Sequence, residues 1–432
     1  MTSVHQIVPL HAPPDASVSL PGSKSITNRA LLLASLCPQE VTITHALDSE
    51  DTRVMQESLS RLGFRLSQPQ PETLVIRGEG GKIPATQADL WVANAGTAAR
   101  FLTTLVALGK GTYRIDGTPR MRQRPIQPLL DALNALGAEA FSEAGTGCPP
   151  VVVRARGLKG GEVAVRADIS SQFLSALMMV APCASGTVTI RLEGALVSAP
   201  FVQMTLRMMR QFGVDACWEE EHARIIVPAP QRYQLKDQAV YPVEPDATAA
   251  SYFFAAAGIT GGRVRIPALN RHSLQGDIRF VDILEQMGCT VRWLPDGVEV
   301  AGTSALHGVD VNMSDISDTF ITLAVVAPFA DSPTRIRGVE HARYQESNRV
   351  SAVANELKRL GVNVEEHDDG LTIYPGTPRG GTVQTYNDHR IAMAFALIGL
   401  RVPGIAIADP ECVQKTFPNF FGKLQELEGG AP

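Results

Sequence analysis

The chain has 432 residues, of which 44% are hydrophobic, and a formal net charge of −5. This length exceeds one ordinary hydrophobic core, so two domains of about 200 residues are expected. The acidic balance argues against a nucleic-acid-binding protein, which usually carries a basic face. No run approaches about 18 uninterrupted apolar residues, and the first residues lack a basic segment followed by an apolar one. We therefore predict a cytoplasmic protein without a membrane span or a secretory signal.

Cysteine and histidine spacing gives no sign of a metal centre. The six cysteines form no C-x-x-C pair, and the nine histidines show no H-E-x-x-H spacing. In a chain of this size such cysteines are typical of scattered buried thiols in a cytosolic protein. We therefore predict no metal site.

Six apolar segments, each opened by a small polar cluster, are predicted to be helices followed by short strands. In chain order they begin at Ser23, Asn94, Asp168, Pro245, Asp315 and Asn387. Equivalent polar residues of successive segments are 70 to 78 residues apart. This period is too long for a solenoid repeat and indicates a whole supersecondary unit.

A second helix is predicted in each of the first five units, because a glycine follows an apolar helix-like run. These glycines are Gly63, Gly137, Gly213, Gly288 and Gly361. Glycine in the left-handed conformation commonly ends a helix, and the residues after it alternate or run apolar as a strand does. The sixth copy, FFGKLQELEG, has no such strand after it. Each unit is thus predicted to contain two helices and several strands, which is α/β organisation.

Six units divide into three and three, which places a domain boundary in the Pro-rich stretch between Pro228 and Pro245. A second Pro-rich stretch, from His11 to Pro21, is expected to be the other crossing between the domains. The predicted N-terminal domain is therefore residues 22–242. The predicted C-terminal domain combines residues 1–21 with residues 243–432.

Four cations lie at or near predicted helix starts: Lys24, Arg29, Arg100 and Arg390. A helix N-terminus carries a partial positive charge, so a cation there is mildly unfavourable. Solvated surface charge explains any one of them, but the four together favour a bound anion, which removes the repulsion and accepts charge-assisted hydrogen bonds. The segment PRMRQR at residues 119–124 adds local positive charge. On an acidic protein this pattern favours small anionic ligands.

Other polar residues have structural explanations that the residues alone leave open. Helix capping explains one of Ser170 and Ser171, but not these serines together with Gln172. Asp318 is equally consistent with a helix cap. Glu346 is consistent with a salt-bridge anchor among arginines.

Segments from all six units closely resemble one family. They are PGSKSITNRALLLASL, NAGTAARFLTTL, DGTPRMRQRPI, DISSQFLSALMM, SLQGDIRFVDILEQMG, ESNR, NDHRIAMAFAL and KTFPNF. Over essentially its whole length the chain is similar to the 3-phosphoshikimate 1-carboxyvinyltransferases, also called 5-enolpyruvylshikimate-3-phosphate (EPSP) synthases. The resemblance implies an α/β fold: a two-domain inside-out α/β barrel of six βαβαββ repeats, three per domain, with the active site in the interdomain cleft.

The resemblance also implies a reaction. The enolpyruvyl group of phosphoenolpyruvate is transferred to the 5-hydroxyl of shikimate 3-phosphate and phosphate is released, in the biosynthesis of chorismate and aromatic amino acids. The hydroxyl adds to the enol carbon, the methylene carbon is protonated, and the tetrahedral intermediate loses a proton and phosphate. No metal or organic cofactor is implied. Both substrates are anions, which accounts for the cations, and we expect a monomer that binds neither nucleic acid nor membrane.

Site residues follow from the resemblance motif by motif. Asp318, Glu346 and Lys24 are implied in catalysis, without a decision on which carboxyl group handles which proton. The residues implied for shikimate 3-phosphate are Lys24, Ser25, Arg29, Ser170, Ser171, Gln172, Ser198, Asp318 and Gln345. The residues implied for phosphoenolpyruvate are Lys24, Asn94, Gly96, Arg124, Gln172, Arg349, Arg390 and Lys415.

Four positions depart from the family's pattern. Phe101 stands where Pro is common, Phe201 where Tyr is usual, Gln345 where Lys is common, and His341 where Asn is common. Gln345 and Phe201 affect two contacts to shikimate 3-phosphate. We expect Arg343 to compensate for Gln345, because residues two apart share a face of an extended segment.

Two other functions stay open. One is a non-catalytic or altered-specificity relative that binds phosphorylated ligands, which only Gln345 and Phe201 favour. The other is a UDP-N-acetylglucosamine enolpyruvyl transferase of the same fold. That family uses a cysteine in the loop that here reads GTPRMRQRPI and contains none.

Overall fold

The protein is described by a computed structural model that covers residues 3–428. The chain folds into two compact units. The N-terminal unit is Gly22–Val243, and the C-terminal unit combines the described residues up to Pro21 with those from Glu244 onward. The segment before Gly22 supplies two strands to the C-terminal unit, β1 (Val4–Gln6) and β2 (Asp15–Ser17).

The N-terminal unit alternates helices with short strands. Its helices are α1 (Lys24–Leu36), α2 (Glu50–Arg61), α3 (Gly96–Val106), α4 (Gln127–Ala135), α5 (Ser171–Val180) and α6 (Ala199–Gln211). Its strands are β3 (Glu40–Thr44), β4 (Arg65–Gln70), β5 (Thr73–Arg77), β6 (Gln87–Trp91), β7 (Lys110–Asp116), β8 (Glu139–Ser142), β9 (Val151–Arg156), β10 (Gly161–Arg166), β11 (Val188–Glu193), β12 (Cys217–Glu219), β13 (Arg224–Val227) and β14 (Val240–Pro242).

The C-terminal unit has the same alternation. Its helices are α7 (Ala247–Thr260), α8 (Phe280–Gln286), α9 (Phe320–Val326), α10 (Arg349–Arg359), α11 (His389–Gly399) and α12 (Phe420–Gln425). Its further strands are β15 (Arg263–Pro267), β16 (Thr290–Leu294), β17 (Gly297–Ala301), β18 (Asp310–Asn312), β19 (Thr334–Arg337), β20 (Val364–His367), β21 (Gly370–Ile373), β22 (Gly381–Val383) and β23 (Ile405–Ala408).

The described strands form six small sheets, and five of them share one topology. A parallel pair is followed by two antiparallel strands, as in the order β6-β7-β9-β8. The other four such sheets have the orders β14-β3-β5-β4, β10-β11-β13-β12, β2-β15-β17-β16 and β18-β19-β21-β20. The sixth sheet, β22-β23-β1, keeps the parallel pair and takes β1 as its antiparallel strand. The predicted α/β fold of six repeated units is confirmed.

Strands distant in sequence complete three of these sheets. β14 pairs in parallel with β3, about two hundred residues earlier, and β2 pairs in parallel with β15. β1 pairs with β23 in antiparallel register, Val4 opposite Ala408. The first repeat of each unit therefore obtains its first strand from a segment close to the boundary between the units.

The first helix of each repeat is buried, and the second is amphipathic. In the N-terminal unit α1, α3 and α5 are buried along almost their whole length, and α3 packs against both α1 and α5. In the C-terminal unit α7, α9 and α11 pack against one another in the same way. The glycines predicted to end the second helices all have positive φ, from +79° at Gly213 to +101° at Gly288. Each unit therefore has three central helices whose N-terminal ends carry the polar clusters.

The six cysteines are free thiols. Cys37 and Cys289 are buried as expected, three others are half-buried, and Cys217 is exposed on the edge strand β12. Along residues 3–428, no helix is long and apolar enough to cross a membrane.

Candidate active site

Lys24 is the first residue of α1, directly after the N-cap Ser23. Its ammonium group lies 3.4 Å from a carboxylate oxygen of Asp51, near the start of α2. Asp51 is only 1% exposed. A buried carboxylate of this kind favours a charged partner, so Asp51 holds the Lys24 side chain in place. The sequence reasoning missed Asp51, because the residue looks like an ordinary acidic residue in the first turn of a helix.

Arg29, one turn further along α1, is 2% exposed and points into the unit. Its guanidinium donates to Thr205 Oγ1 at 2.8 Å, to Ser175 Oγ at 3.1 Å and to the Ser25 carbonyl at 3.0 Å. These acceptors are neutral, and burial lowers the pKa of Arg29 to about 9. The rings of two aromatic residues lie beside the same guanidinium, with centroids 5.3 and 5.7 Å from Cζ, namely Phe101 and Phe201.

Two of the four departures from the family's pattern therefore pack on one predicted ligand-binding arginine. Phe201 keeps a ring beside Arg29 but has no hydroxyl group, and Phe101 is completely buried. Cation–π contacts of this kind are worth roughly 0.5–2 kcal/mol. Local sequence could not reveal this packing, because Arg29, Phe101 and Phe201 lie on three different helices.

Asn94, Gly96 and Arg124 form one cluster around the start of α3. The Arg124 guanidinium donates to the Asn94 carbonyl at 3.0 Å and to its side-chain oxygen at 3.3 Å. A Cβ atom on Gly96 would lie 2.4 Å from Arg124 Nη2. Glycine therefore leaves room for the guanidinium, which a larger residue would displace. Arg100, in contrast, donates to the Pro125 carbonyl at 2.7 Å and fastens the following loop to α3.

The third central helix starts with the predicted serine cluster. Ser170 is the N-cap of α5 and accepts a hydrogen bond from the Gln172 backbone N–H at 3.2 Å. The capping explanation therefore applies to Ser170, while Ser171 is buried and Gln172 is half-buried. Ser198 precedes α6 with φ of +54°. A left-handed conformation is uncommon for serine and is concentrated at functional sites.

Arg349, the first residue of α10, is the centre of a charge network in the C-terminal unit. Its guanidinium contacts Asp388 at 2.8 Å, Glu346 at 2.9 Å and Asp318 at 3.3 Å, and it also donates to the Gln345 side-chain oxygen. Arg349 is 2% exposed and Asp388 is fully buried. Asp388 is also the N-cap of α11 and accepts from the Arg390 backbone N–H at 3.1 Å. Asp388 is thus a shared anchor to which the sequence analysis gave no role.

Asp318 lies between two arginines. One carboxylate oxygen is 2.8 Å from Arg390 Nη2, and the other is 3.3 Å from Arg349 Nη1. Burial lowers the pKa of Arg390, but the acidic groups around it, of which Asp318 has the strongest effect, together outweigh burial and raise the pKa. Burial likewise acts against the charge of Arg349, whose pKa is raised by Asp388 and Glu346. Both arginines are therefore permanently charged at neutral pH.

The remaining predicted residues lie around this network. Lys415 is buried at the end of the 3-10 turn Pro410–Lys415, which packs on α11. His341, where Asn is common in the family, contacts Ser317 Oγ at 2.9 Å through Nε2. Burial lowers the pKa of His341, so its ring is neutral at pH 7.

Arg343 does not lie where the sequence reasoning expected. Residues Glu340–Tyr344 form a 3-10 turn and not an extended segment. The Arg343 guanidinium lies 2.6 Å from a carboxylate oxygen of Glu366 and donates to the His367 carbonyl at 2.7 Å. The assumed extended geometry is therefore wrong, and Arg343 ties the turn to β20.

The predicted residues thus form two sets, one in each unit. In the N-terminal unit they lie close to the starts of helices, some before and some after. This set contains Lys24, Ser25, Arg29, Asn94, Gly96, Arg124, Ser170, Ser171, Gln172 and Ser198. In the C-terminal unit, Asp318, Gln345, Glu346, Arg349 and Arg390 form one bonded network, and Lys415 packs beside α11. In residues 3–428, no group of three or more His, Cys, Asp or Glu side chains is placed to hold a metal ion.

The chain is similar in sequence and in fold to known proteins over nearly its whole length. The family profile described as EPSP synthase (3-phosphoshikimate 1-carboxyvinyltransferase) matches residues 11–424. The 3-phosphoshikimate 1-carboxyvinyltransferase of Nostoc punctiforme is 48% identical over 98% of both chains. That of a Marinomonas species is 43% identical over 94% of this chain and 95% of its own. A solved structure of EPSP synthase from Acinetobacter baumannii superposes with a TM-score of 0.81 at 25% identity, covering 98% of both chains. The chain therefore belongs to the EPSP synthase family.

Proposed function

We propose that this protein transfers the enolpyruvyl group of phosphoenolpyruvate to the 5-hydroxyl of shikimate 3-phosphate and releases phosphate. Membership of the EPSP synthase family and the names of its relatives support this reaction. The two residue sets lie in different units, and we propose that both contribute to one active site. A monomer acting on small anions, without nucleic acid or membrane as a partner, belongs to the same proposal.

The observation that carries the proposal is the charge network around Asp318. Its carboxylate contacts the guanidinium groups of Arg349 and Arg390, and Arg349 also contacts Glu346. Arginine matches the planar carboxylate and phosphate groups of phosphoenolpyruvate with paired hydrogen bonds. Two carboxyl groups beside such an anion site supply the proton acceptor and proton donor that addition and elimination require.

In the proposed mechanism both units contribute residues to phosphoenolpyruvate binding. Arg349, Arg390 and Lys415 bind phosphoenolpyruvate, joined by Asn94, Gly96 and Arg124. Asp318 and Glu346 exchange protons with the 5-hydroxyl and with the methylene carbon. Ser25, Arg29, Ser170, Ser171, Gln172 and Ser198 bind shikimate 3-phosphate, and Lys24, held by Asp51, contacts both substrates.

The position of Gln345 affects how the shikimate phosphate is bound. Its side-chain oxygen accepts a hydrogen bond from Arg349. With its oxygen held by Arg349, Gln345 can offer its amide N–H₂ to the phosphate, as a neutral donor in place of a charged one. The bond to the phosphate stays charge-assisted because the acceptor is an anion, but a neutral amide lacks the additional ion-pair attraction of an ammonium group. We expect weaker binding of shikimate 3-phosphate at this one contact, with the reaction unchanged.

A phosphate-release assay tests the proposal against both alternatives. Three mixtures contain phosphoenolpyruvate alone, with shikimate 3-phosphate, or with UDP-N-acetylglucosamine. We expect release only with shikimate 3-phosphate. Release with the nucleotide sugar would assign the protein to the other enolpyruvyl transferases. Calorimetric binding of shikimate 3-phosphate without any release would identify a non-catalytic relative.

A further inference from the structure

Asp277 is a buried carboxyl group that the mechanism above does not use. It lies in the 3-10 turn Gly276–Arg279, directly before α8, and is 5% exposed. Its motif, SLQGDIRF, resembles the family, but the resemblance gave Asp277 no role. A buried carboxyl group is rare unless it is paired, protonated or functional.

The segment that carries Asp277 is fastened to the start of α7. The Glu244 carboxylate accepts from Ser273 Oγ at 2.6 Å and from the Leu274 N–H at 3.1 Å. The Gln275 side chain accepts from the Ala247 N–H at 2.9 Å and donates to the Pro245 carbonyl at 2.7 Å. These four bonds place the turn beside the N-terminal end of a central helix, where the Thr248 hydroxyl donates to the Asp277 carboxyl group.

The charged groups that face Asp277 come from three elements. Asp318 precedes α9, Arg390 is on α11, and Asp246 is the N-cap of α7. The exposed ion pair of Arg279 and Asp315, 3.2 Å apart, joins the turn of Asp277 to the 3-10 turn Ser314–Thr319, which contains Asp318. Burial, and next the negative charge of Asp318, raise the pKa of Asp277 to about 7.

We propose that Asp277 is a positioning residue for Asp318: an uncharged carboxyl group, held by Thr248, that lets Asp318 keep Arg390 as its ion-pair partner. This inference rests on the proposed function, in which Asp318 moves a proton during the reaction. An ionised Asp277 would place a second carboxylate near Arg390, and the two negative charges would repel each other. Arg390 would then be drawn from Asp318, and both proton transfer and phosphoenolpyruvate binding would weaken.

The pH dependence of kcat/KM tests this role. In the wild type we expect activity to fall as the pH rises through about 7, because Asp277 loses its proton. Asp277→Asn has nearly the same shape and stays uncharged, so its activity at pH 6 should match the wild type. The fall of kcat/KM at alkaline pH should begin about one pH unit or more higher in this variant than in the wild type. Asp315→Asn removes a carboxylate of the neighbouring surface pair and is the matched control, which should retain the wild-type profile.

A second variant separates positioning from packing. Thr248→Val is nearly isosteric and removes the hydroxyl that donates to Asp277. Because this hydrogen bond favours the charged carboxylate, its loss should move the wild-type decline to higher pH. A purely structural hydroxyl would lower stability without moving the profile.

Thermal unfolding gives a readout that does not depend on activity. Asp277 has an ordinary pKa of 3.8 and a folded-state pKa of about 7. Between these two values the native protein keeps a proton that the unfolded chain releases, so wild-type stability falls with rising pH relative to a variant that does not titrate. The melting temperature of Asp277→Asn minus that of the wild type should therefore grow between pH 4 and pH 7 and stay level above pH 7.

The proposed function and the inference fail in different ways. If the wild type releases no phosphate, the reaction is wrong, and the melting difference still reports the state of Asp277. If the wild type is active but Asp277→Asn has the same pH profile and a pH-independent melting difference, the inference is overturned. Inactivity of a folded Asp277→Asn at pH 6 would also overturn it, because the reaction would then need the carboxyl group itself.

Discussion

At the scale of single residues, the strongest constraint is the pairing of buried charge. Arg349 and Asp388 are both almost completely buried, and their ionic contact is 2.8 Å long. Removing an ion from water costs several kcal/mol, and breaking a buried pair by removing one partner typically costs 3–5 kcal/mol. Glu346 and Asp318 share Arg349 with Asp388. Asp388 therefore secures the arginine, while Glu346 and Asp318 are the two carboxyl groups to which the proposed mechanism gives the proton transfers.

Substitution of Glu346 separates chemistry from anchoring. Glu346→Gln preserves the shape of the side chain but cannot transfer a proton, so we expect kcat to fall roughly 10²–10⁴-fold. Calorimetry should find substrate affinity largely retained, because Arg349 keeps Asp388 and Asp318. Glu340→Gln, six residues earlier at an exposed position of the 3-10 turn Glu340–Tyr344, is the control. A turnover near that of the wild type would mean that Glu346 only anchors Arg349.

Gly96 gives a test in which function and stability should separate. In Gly96→Ala the new methyl group would meet Arg124 Nη2 at 2.4 Å, so the guanidinium must move away from Asn94. We expect the KM for phosphoenolpyruvate to rise more than kcat falls. Stability should change little, because Gly96 is the first residue of α3 and lies outside the helix interior, where the choice between glycine and alanine matters most.

Gly258→Ala in α7 is the matched control for this substitution. Its nearest neighbour, Cys289 Sγ, is 3.4 Å from the added Cβ, and no site residue lies against it. An unchanged KM in Gly96→Ala would show that Arg124 does not bind phosphoenolpyruvate.

At the scale of elements, the sequence predicted where the helices lie, but it did not predict which side chains of different elements pack against one another. The polar openings and the terminal glycines are local signals, and both sets of helices begin and end close to the predicted places. The stacking of Phe101 and Phe201 on Arg29 joins residues about 70 to 170 positions apart and has no local signal. Asp277 likewise has no local sequence signal. Its sequence is typical of a surface turn, and only the packing of the turn against α7 buries the side chain. Arg343 was misplaced because a 3-10 turn and an extended segment are not distinguished by its polar sequence.

Helix α3 contains Phe101 at a position where proline is common in the family's pattern. Phe101 lies within the helix, is fully buried and packs on Arg29. Phe101→Pro removes the ring and a backbone donor, so we expect a loss of about 3 kcal/mol or more in the free energy of unfolding. The measurement is denaturant unfolding followed by circular dichroism.

Phe101→Leu is the control for this substitution, because it keeps the helix and only shortens the side chain. It should cost clearly less than Phe101→Pro. If the two variants unfold at the same denaturant concentration, the backbone of α3 tolerates proline here, and the ring alone accounts for the loss.

At the scale of the whole molecule, five of the six repeats share one four-stranded sheet topology, and the sixth keeps its parallel pair and takes β1 as its antiparallel strand. Segments distant in sequence complete the first repeat of each unit. The period of 70 to 78 residues predicted the number of repeats. It could not predict that β14 joins β3 or that β2 joins β15, because a three-residue strand has too little pattern to identify its partner. The motifs predicted which residues belong to the candidate site. The structure shows how these residues contact one another, and it identifies Asp51 and Asp388 as further members of the site.

The central claim is that one set of cations from each unit binds the same phosphoenolpyruvate molecule. The most direct measurement is a double-mutant cycle on its KM, with Arg124→Met in the N-terminal unit and Lys415→Met in the C-terminal unit. Loss of one charge-assisted bond costs about 1.5–3 kcal/mol, which corresponds to roughly a 10- to 150-fold higher KM for each single variant. The controls are Arg122→Met, which breaks an ion pair with Asp116, and Lys423→Met, which breaks one with Glu426. We predict that both single variants raise this KM and that the double variant departs from the product of the two effects, since the two groups hold one ligand. If one of the two site variants leaves the KM at the level of its control, the two sets do not share a substrate and the claim is contradicted.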